Sequence, residues 1–224
     1  MDIVEIELLT DTIEETSNFY SGLLGFEEVY ADKETISFNA GQSVLTFKQS
    51  NNIKPKYHFA FNIPCNKIDE AIKWTSPKAK LLLTQKGEII SDFTHINAKS
   101  IYFYDNNKNI LEFIVRFDLN NPSQEPFNIK SIEAISEIGI VTDNPVAFAD
   151  KVVNENKLYF FRDSGPRSDE FVGVGNDNGI FIIVKANRKW HPTYKDPAER
   201  HYSKIKFRVN GLAAEMTVND NSTE

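Results

Sequence analysis

One short segment occurs twice in this chain, and it constrains the fold more than any other feature. Glu5-Ile6-Glu7-Leu8-Leu9-Thr10-Asp11 returns as Glu137-Ile138-Gly139-Ile140-Val141-Thr142-Asp143, with four identities in seven positions. Self-similarity at long spacing marks a repeated supersecondary unit. Both copies read as strands that lead into helices. The first is followed by Ile13, Phe19, Tyr20, Leu23 and Leu24 and closed by Gly25; the second runs into Pro145, then Val146, Phe148, Ala149 and Val152. Glycine after the last apolar residue and proline at the first helical position are end signals with a backbone cause.

A third copy is plain by pattern. Tyr57 to Pro64 reads as a strand and leads into Lys67 to Trp74 as a helix. Each unit then carries β-rich runs: Thr35 to Asn39 and Ser43 to Lys48, Ser100 to Tyr104 and Ile110 to Arg116, Glu170 to Val174 and Ile180 to Lys185. Turn formers such as Ala40-Gly41-Gln42 and Gly175 to Gly179 separate them. The expected class is α+β, built of tandem βαβββ modules. The division expected is 1–118 as a pair of modules, 119–130 as a linker, and 131–224 as a third module whose last strand, Lys204 to Val209, is a remnant of a fourth.

Composition narrows the function. Lys and Arg number 25 against 32 Asp and Glu, a net charge of −7, which disfavours nucleic acid as a partner. No apolar run approaches the roughly 20 residues that span a bilayer, so no membrane association is expected. The single Cys65 has no internal partner, and the first residues carry no basic-then-apolar leader, so a reducing, cytoplasmic setting is expected. Gly-rich phosphate loops and a Gly-x-Ser-x-Gly motif are absent, which disfavours nucleotide-driven and covalent-nucleophile chemistry.

Thr10-Asp11, then Phe19-Tyr20, then Leu24-Gly25-Phe26 resembles the opening of a vicinal-oxygen-chelate module, the unit shared by glyoxalases, extradiol dioxygenases and bleomycin- and fosfomycin-resistance proteins. Tyr104-Asp105-Asn106-Asn107-Lys108-Asn109-Ile110-Leu111-Glu112 is similar to that family's Asp-Pro-Asp-Gly-Asn-x-x-Glu hairpin, with Asn106 in the place of Pro and Lys108 in the place of Gly. The resemblance implies modules whose sheets curl in pairs around a cavity, with metal ligands on the first and last strand of each. Aligned on the repeat, Glu5, His58 and Glu137 share the first-strand position, while Glu112 aligns with Thr46 and Ile182. With the first two modules paired, the implied ligands are His58, Glu112 and Glu5, for a divalent ion such as Mn, Mg, Zn or Fe; the third module, with Ile182 opposite Glu137, is expected to hold no metal. One imidazole and two carboxylates lean toward the harder ions and away from the two-histidine, one-carboxylate set of iron oxygenases.

Each candidate has a plainer reading. His58 on an apolar strand could be a packed core histidine, and Glu112, bracketed by Ile110, Leu111, Phe113 and Ile114, needs some cation if buried. Glu5 and Glu7 alternate and would share a wet strand face; if that face lines the cavity, Glu7 is a general-base candidate. Tyr102 and Tyr104 are candidate catalytic hydroxyls, and His95 and Asn97 candidate substrate-binding groups on the preceding loop. Arg188 to Pro192 combines base, indole and imidazole, as a packing loop between domains also would. The function expected is a metal-dependent enzyme acting on a small molecule through vicinal oxygens, glyoxalase-like lyase or isomerase or ring-cleaving dioxygenase. The alternative is a metal-free protein that sequesters a small compound. A monomer or homodimer fits either.

Overall fold

The repeat segments become long strands because their apolar residues alternate with polar ones and can be buried on one face. In the computed structural model, which describes residues 1–50, 53–163 and 168–219, the first unit runs β1 (Asp2–Thr10), α1 (Ile13–Ser17), β2 (Glu27–Ala31), β3 (Thr35–Ala40) and β4 (Ser43–Gln49). The Thr12 side chain caps α1, which continues into a wider turn over Asn18–Leu24 and stops at Gly25, whose φ of 85° suits glycine. The second unit contains β5 (His58–Asn62), α2 (Ile68–Thr75), the short β6 (Leu81–Leu82) and β7 (Ser91–Phe93), β8 (Ala98–Tyr104) and β9 (Ile110–Arg116). The third contains β10 (Ala134–Thr142), α3 (Pro145–Asn156), β11 (Phe171–Asn176) and β12 (Gly179–Lys185). A lone bridge from Phe160 to Val174 stands where another strand would begin. The hairpin β13 (Ser203–Val209) and β14 (Leu212–Val218) closes the described chain; residues 220–224 of the expected last module lie outside the described residues.

Two sheets result. One has the order β14-β13-β1-β4-β3-β2; the other has the order β11-β12-β10-β5-β9-β8-β6, with β7 on β8. The module pairing therefore differs from the expectation. The second unit joins the third, edge to edge through antiparallel β5 and β10, and the first unit joins the C-terminal hairpin through β1 and β13. Both junctions carry a bulge at the same repeat position, between Ile3 and Glu5 in β1 and between Ile135 and Glu137 in β10. The C-terminal hairpin thus supplies the partner for the first unit.

The core lies between the sheets. Ile6, Leu8, Phe38 and Phe47 from one face Phe59, Phe61, Ile138 and Phe181 from the other, and Phe26 meets Phe61 at 5.7 Å while Phe181 meets Phe207 at 5.1 Å. The family-like hairpin fastens the first unit to the second. Buried Asp105 accepts from Tyr20 Oη at 2.7 Å and from Asn107 and Asn109, and burial raises its carboxyl to about 6 against those bonds. Lys108 adopts a φ of 67° where glycine is usual, so the turn keeps its left-handed step in spite of the side chain. The 119–130 stretch is packed: Phe127 is buried against Trp74 and Phe113, and its backbone N–H donates to Glu70. No helix among the described residues is long and apolar enough to cross a membrane.

Candidate metal centre

The second sheet turns the other face of its alternating strands into a cavity. Along one row across the sheet the register places Tyr102 beside Glu112, Glu112 beside Ala60, Ala60 beside Glu137 and Glu137 beside Ile180. Glu112 and Glu137 flank a single strand, so their Cα atoms stand roughly 9–10 Å apart at the ordinary spacing of about 4.8 Å per strand. The residue between them, Ala60, is small enough to let both carboxylates lean over it. His58, two residues earlier on β5, comes up on the same face. The bulge at the start of β10 sets Glu137 on this face, because two residues there oppose one on β5.

One ligand atom each from His58, Glu112 and Glu137 lies within 4.8 Å of the other two, and all three residues are buried. The ring of His58 donates from Nδ1 to the Ile110 carbonyl at 3.1 Å, since a carbonyl can only accept; Nε2 is left with its lone pair, 3.5 Å from Glu112 Oε2. Three acceptors therefore face one another out of water, a set that repels itself unless a proton or a cation sits among them. The carboxyls respond as expected. Burial raises Glu112 to about 7, opposed by Ser100, Arg116 and Tyr102; burial, then the Glu112 charge, raises Glu137 to about 7, opposed by Arg116 and His58. Burial lowers the His58 imidazolium against the pull of Glu137, which favours the neutral, ligating form.

Behind the row lies Arg116, fully buried at the end of β9, with Phe161 over its guanidinium at 5.5 Å. It hydrogen-bonds Glu137 Oε1, and Asp177 Oδ1 stands 3.5 Å from its other terminal nitrogen. The second Glu137 oxygen is free to face His58 and Glu112. A nitrogen and two carboxylates are ordinary donors for a divalent cation, and the residues present fit one. Ile182 fills the place in the third unit that Glu112 fills in the second, so the protein offers no fourth donor there.

The cavity, about 270 Å³, is walled by Phe93, Ile114, Phe161, Phe171, Ile180 and Trp190. The strap after β12 closes it. Trp190 lies tilted against His58 with ring centres 5.0 Å apart, and His191 sits 5.2 Å from Tyr102 and shares a 2.6 Å hydrogen bond with Ser91 Oγ. Burial, with His58 and Arg188 nearby, lowers His191 to about 4, so its ring is neutral at pH 7.

The structure sorts the sequence candidates plainly. His58, Glu112, Tyr102 and His95 line the cavity. Glu5 and Glu7 do not: β1 belongs to the other sheet, where Glu5 pairs with Lys206 at 2.7 Å and accepts from Thr46, and Glu7 pairs with Lys48 at 3.0 Å and accepts from Tyr202. Burial pushes the Glu7 pKa up, but those bonds prevail and hold it low, unlike the raised pKa a general base usually carries. Tyr104 is turned to Asp196 and Asn97 to Asp118, both outside the cavity wall. Glu137 stands where Glu5 was expected. The repeat alignment had put it level with His58, but its partners come from the neighbouring module. Arg116 was missed; the alternation Glu112, Ile114, Arg116 on one strand was its signal.

Sequence comparison finds nothing similar: no family model and no curated protein matches. Structure comparison does. The crystal structure of a dioxygenase candidate from Bacillus subtilis subsp. subtilis str. 168 superposes over 99% of this chain and 86% of its own, with a TM-score of 0.61 at 14% identity. The fold is that of the glyoxalase, bleomycin-resistance and dioxygenase proteins. Shorter members of this vicinal-oxygen-chelate fold also match over half the chain. Lactoylglutathione lyase from Agrobacterium tumefaciens covers 50% of this chain and 92% of its own at 20% identity, TM-score 0.42. The fosfomycin resistance protein FosX from Listeria monocytogenes, complexed with Mn(II) and sulfate, covers 50% and 86% at 17% identity, TM-score 0.40.

Proposed function

We propose that this chain is a divalent-metal-dependent enzyme of the vicinal-oxygen-chelate fold, with His58, Glu112 and Glu137 as the ligands and a small molecule carrying two adjacent oxygens as the substrate. The observation that carries the reading is the convergence of three acceptor atoms, with the His58 tautomer set for ligation, on the floor of a cavity whose walls are otherwise largely apolar. A bound cation would supply Lewis acidity to substrate oxygens or to water. The chain's own residues do the rest. Trp190 and Phe161 exclude water, Arg116 holds Glu137 in place, and the Tyr102 hydroxyl, its pKa raised well above 10 by burial and Glu112, stays protonated as a hydrogen-bond donor. One imidazole with two carboxylates favours a lyase or isomerase over an oxygen-activating enzyme. A cytoplasmic setting belongs to the same proposal and rests on the free Cys65.

The alternative of metal-free sequestration draws on Arg116, which already gives Glu137 a resident cation and would leave a protonated Glu112 to complete a neutral pocket. Metal analysis by mass spectrometry separates the two. Protein purified without chelator or metal-affinity tag is expected to carry about one equivalent of a divalent ion per chain. Glu112→Gln and Glu137→Gln are expected to lose it, and Glu5→Gln to keep it. Wild type that stays metal-free after reconstitution sinks the enzyme reading.

A further inference from the structure

Among the described residues that line the cavity, Arg188 is the single arginine or lysine. Arg116, Arg162 and Arg200 each meet a carboxylate, whereas no ion pair among the described residues includes Arg188. Its guanidinium instead lies over the Phe171 ring at 5.5 Å. The chain carries 32 acidic residues, so the lack of a partner reflects placement and not supply. The backbone that aims it is pinned on both sides: Arg188 N–H donates to Lys185, and the Arg188 carbonyl accepts from Ala198 at 2.7 Å. A guanidinium on a half-buried residue, lying over an aromatic wall with its donors unclaimed, is a preorganised fork for a planar anion.

We propose that Arg188 is the specificity-determining residue of this cavity and that it binds a carboxylate of the substrate, separate from the two adjacent oxygens. The proposal rests on the reading of the cavity as the substrate site. Geometry selects the class: the planar fork of one guanidinium matches the two coplanar oxygens of a carboxylate. Size selects the body. At about 270 Å³ the cavity falls just under the roughly 300 Å³ at which drug-sized pockets begin, so it takes one ring or a short chain. Aromatic walls at Phe93, Phe161, Phe171 and Trp190 suit a flat, apolar one.

The test is calorimetric titration of the full chain with benzoate and with benzyl alcohol, which share an apolar body and differ in charge, for wild type, Arg188→Gln and Arg188→Lys. Wild type is expected to bind benzoate at least about tenfold more tightly, the gain usual for a charge-assisted bidentate contact. Arg188→Gln is expected to abolish that preference, and Arg188→Lys to keep part of it, because lysine retains the charge without the fork. Equal binding of the two probes by wild type, no binding of either, or a preference that survives in Arg188→Gln overturns the assignment. Both probes are titrated in the presence of chelator, because a carboxylate can itself ligate a metal ion, so the result is independent of metal. Catechol titrated in parallel, with and without chelator, reports on the metal reading, and the two conclusions fail separately.

Discussion

Glu112 is the side chain on which the site's electrostatics turn. In metal-free protein its pKa, like that of Glu137, rises from 4.5 to about 7, so between those values the folded state holds protons that the unfolded state has lost. The contribution of such groups to stability falls as pH rises through that window. His58 and His191 act in the opposite sense at the acid end, because their pKa values are lowered. The comparison must therefore be made against a variant at each pH. With chelator present, Glu112→Gln is expected to gain stability relative to wild type as pH rises from about 4.5 to 7, by on the order of 1–3 kcal/mol, measured by urea unfolding. A pH-independent difference would refute the assignment. Arg116 makes the complementary case. Arg116→Met strands Glu137 without its cation and is expected to cost about 3–5 kcal/mol, most of it recovered in the double variant Arg116→Met, Glu137→Met, where no unpaired buried charge remains. Equal loss in the single and double variants would show that packing, and not charge, is what Arg116 supplies.

At the scale of elements, the site depends on β5 being narrow where it passes between its neighbours. Ala60 is fully buried, and its row contains the two carboxylates on β9 and β10. Ala60→Val adds two methyl groups at that point while keeping a good strand residue. It is expected to abolish metal retention and to cost about 1–3 kcal/mol by overpacking, with the circular dichroism of the sheets preserved. Full metal occupancy in this variant would mean that the ligands converge elsewhere. The bulges in β1 and β10 show the same logic at work twice. Each turns an acidic residue of the repeat onto the open face of its sheet, yet Glu137 meets His58 and Glu112 while Glu5 meets Lys206. Similar local sequence gave the same bulge, and the neighbouring strand decided the chemistry.

For the whole molecule, the pairing of second unit with third and of first unit with the C-terminal hairpin means that residues 1–118 are not a self-sufficient half. Cutting there would bare the β1 edge covered by β13 and the β5 edge covered by β10, and would remove Glu137. Open edges of apolar strands pair with other chains. The 1–118 fragment is expected to aggregate and to bind no metal, as read by size-exclusion chromatography and mass spectrometry; a soluble monomer would contradict the interleaved arrangement. Deleting the β13–β14 hairpin alone is expected to destabilise the protein although it contributes no residue to the cavity wall.

The sequence by itself determined the unit and its internal register. Periodicity told which residues share a face and the repeat aligned Glu5, His58 and Glu137, because these follow from strand pleat and from the recurrence of one unit; the resemblance of the hairpin to a family motif pointed to Glu112. The tertiary structure alone decided which units join. β1 and β10 open with nearly the same motif and both offer one edge for an antiparallel partner, so nothing local distinguishes a first-with-second pairing from the one observed. That choice put Glu137, and not Glu5, beside His58 and Glu112, left Glu7 on the other sheet, set Arg116 behind Glu137, and brought Arg188 and Trp190 to a cavity that no single module contains.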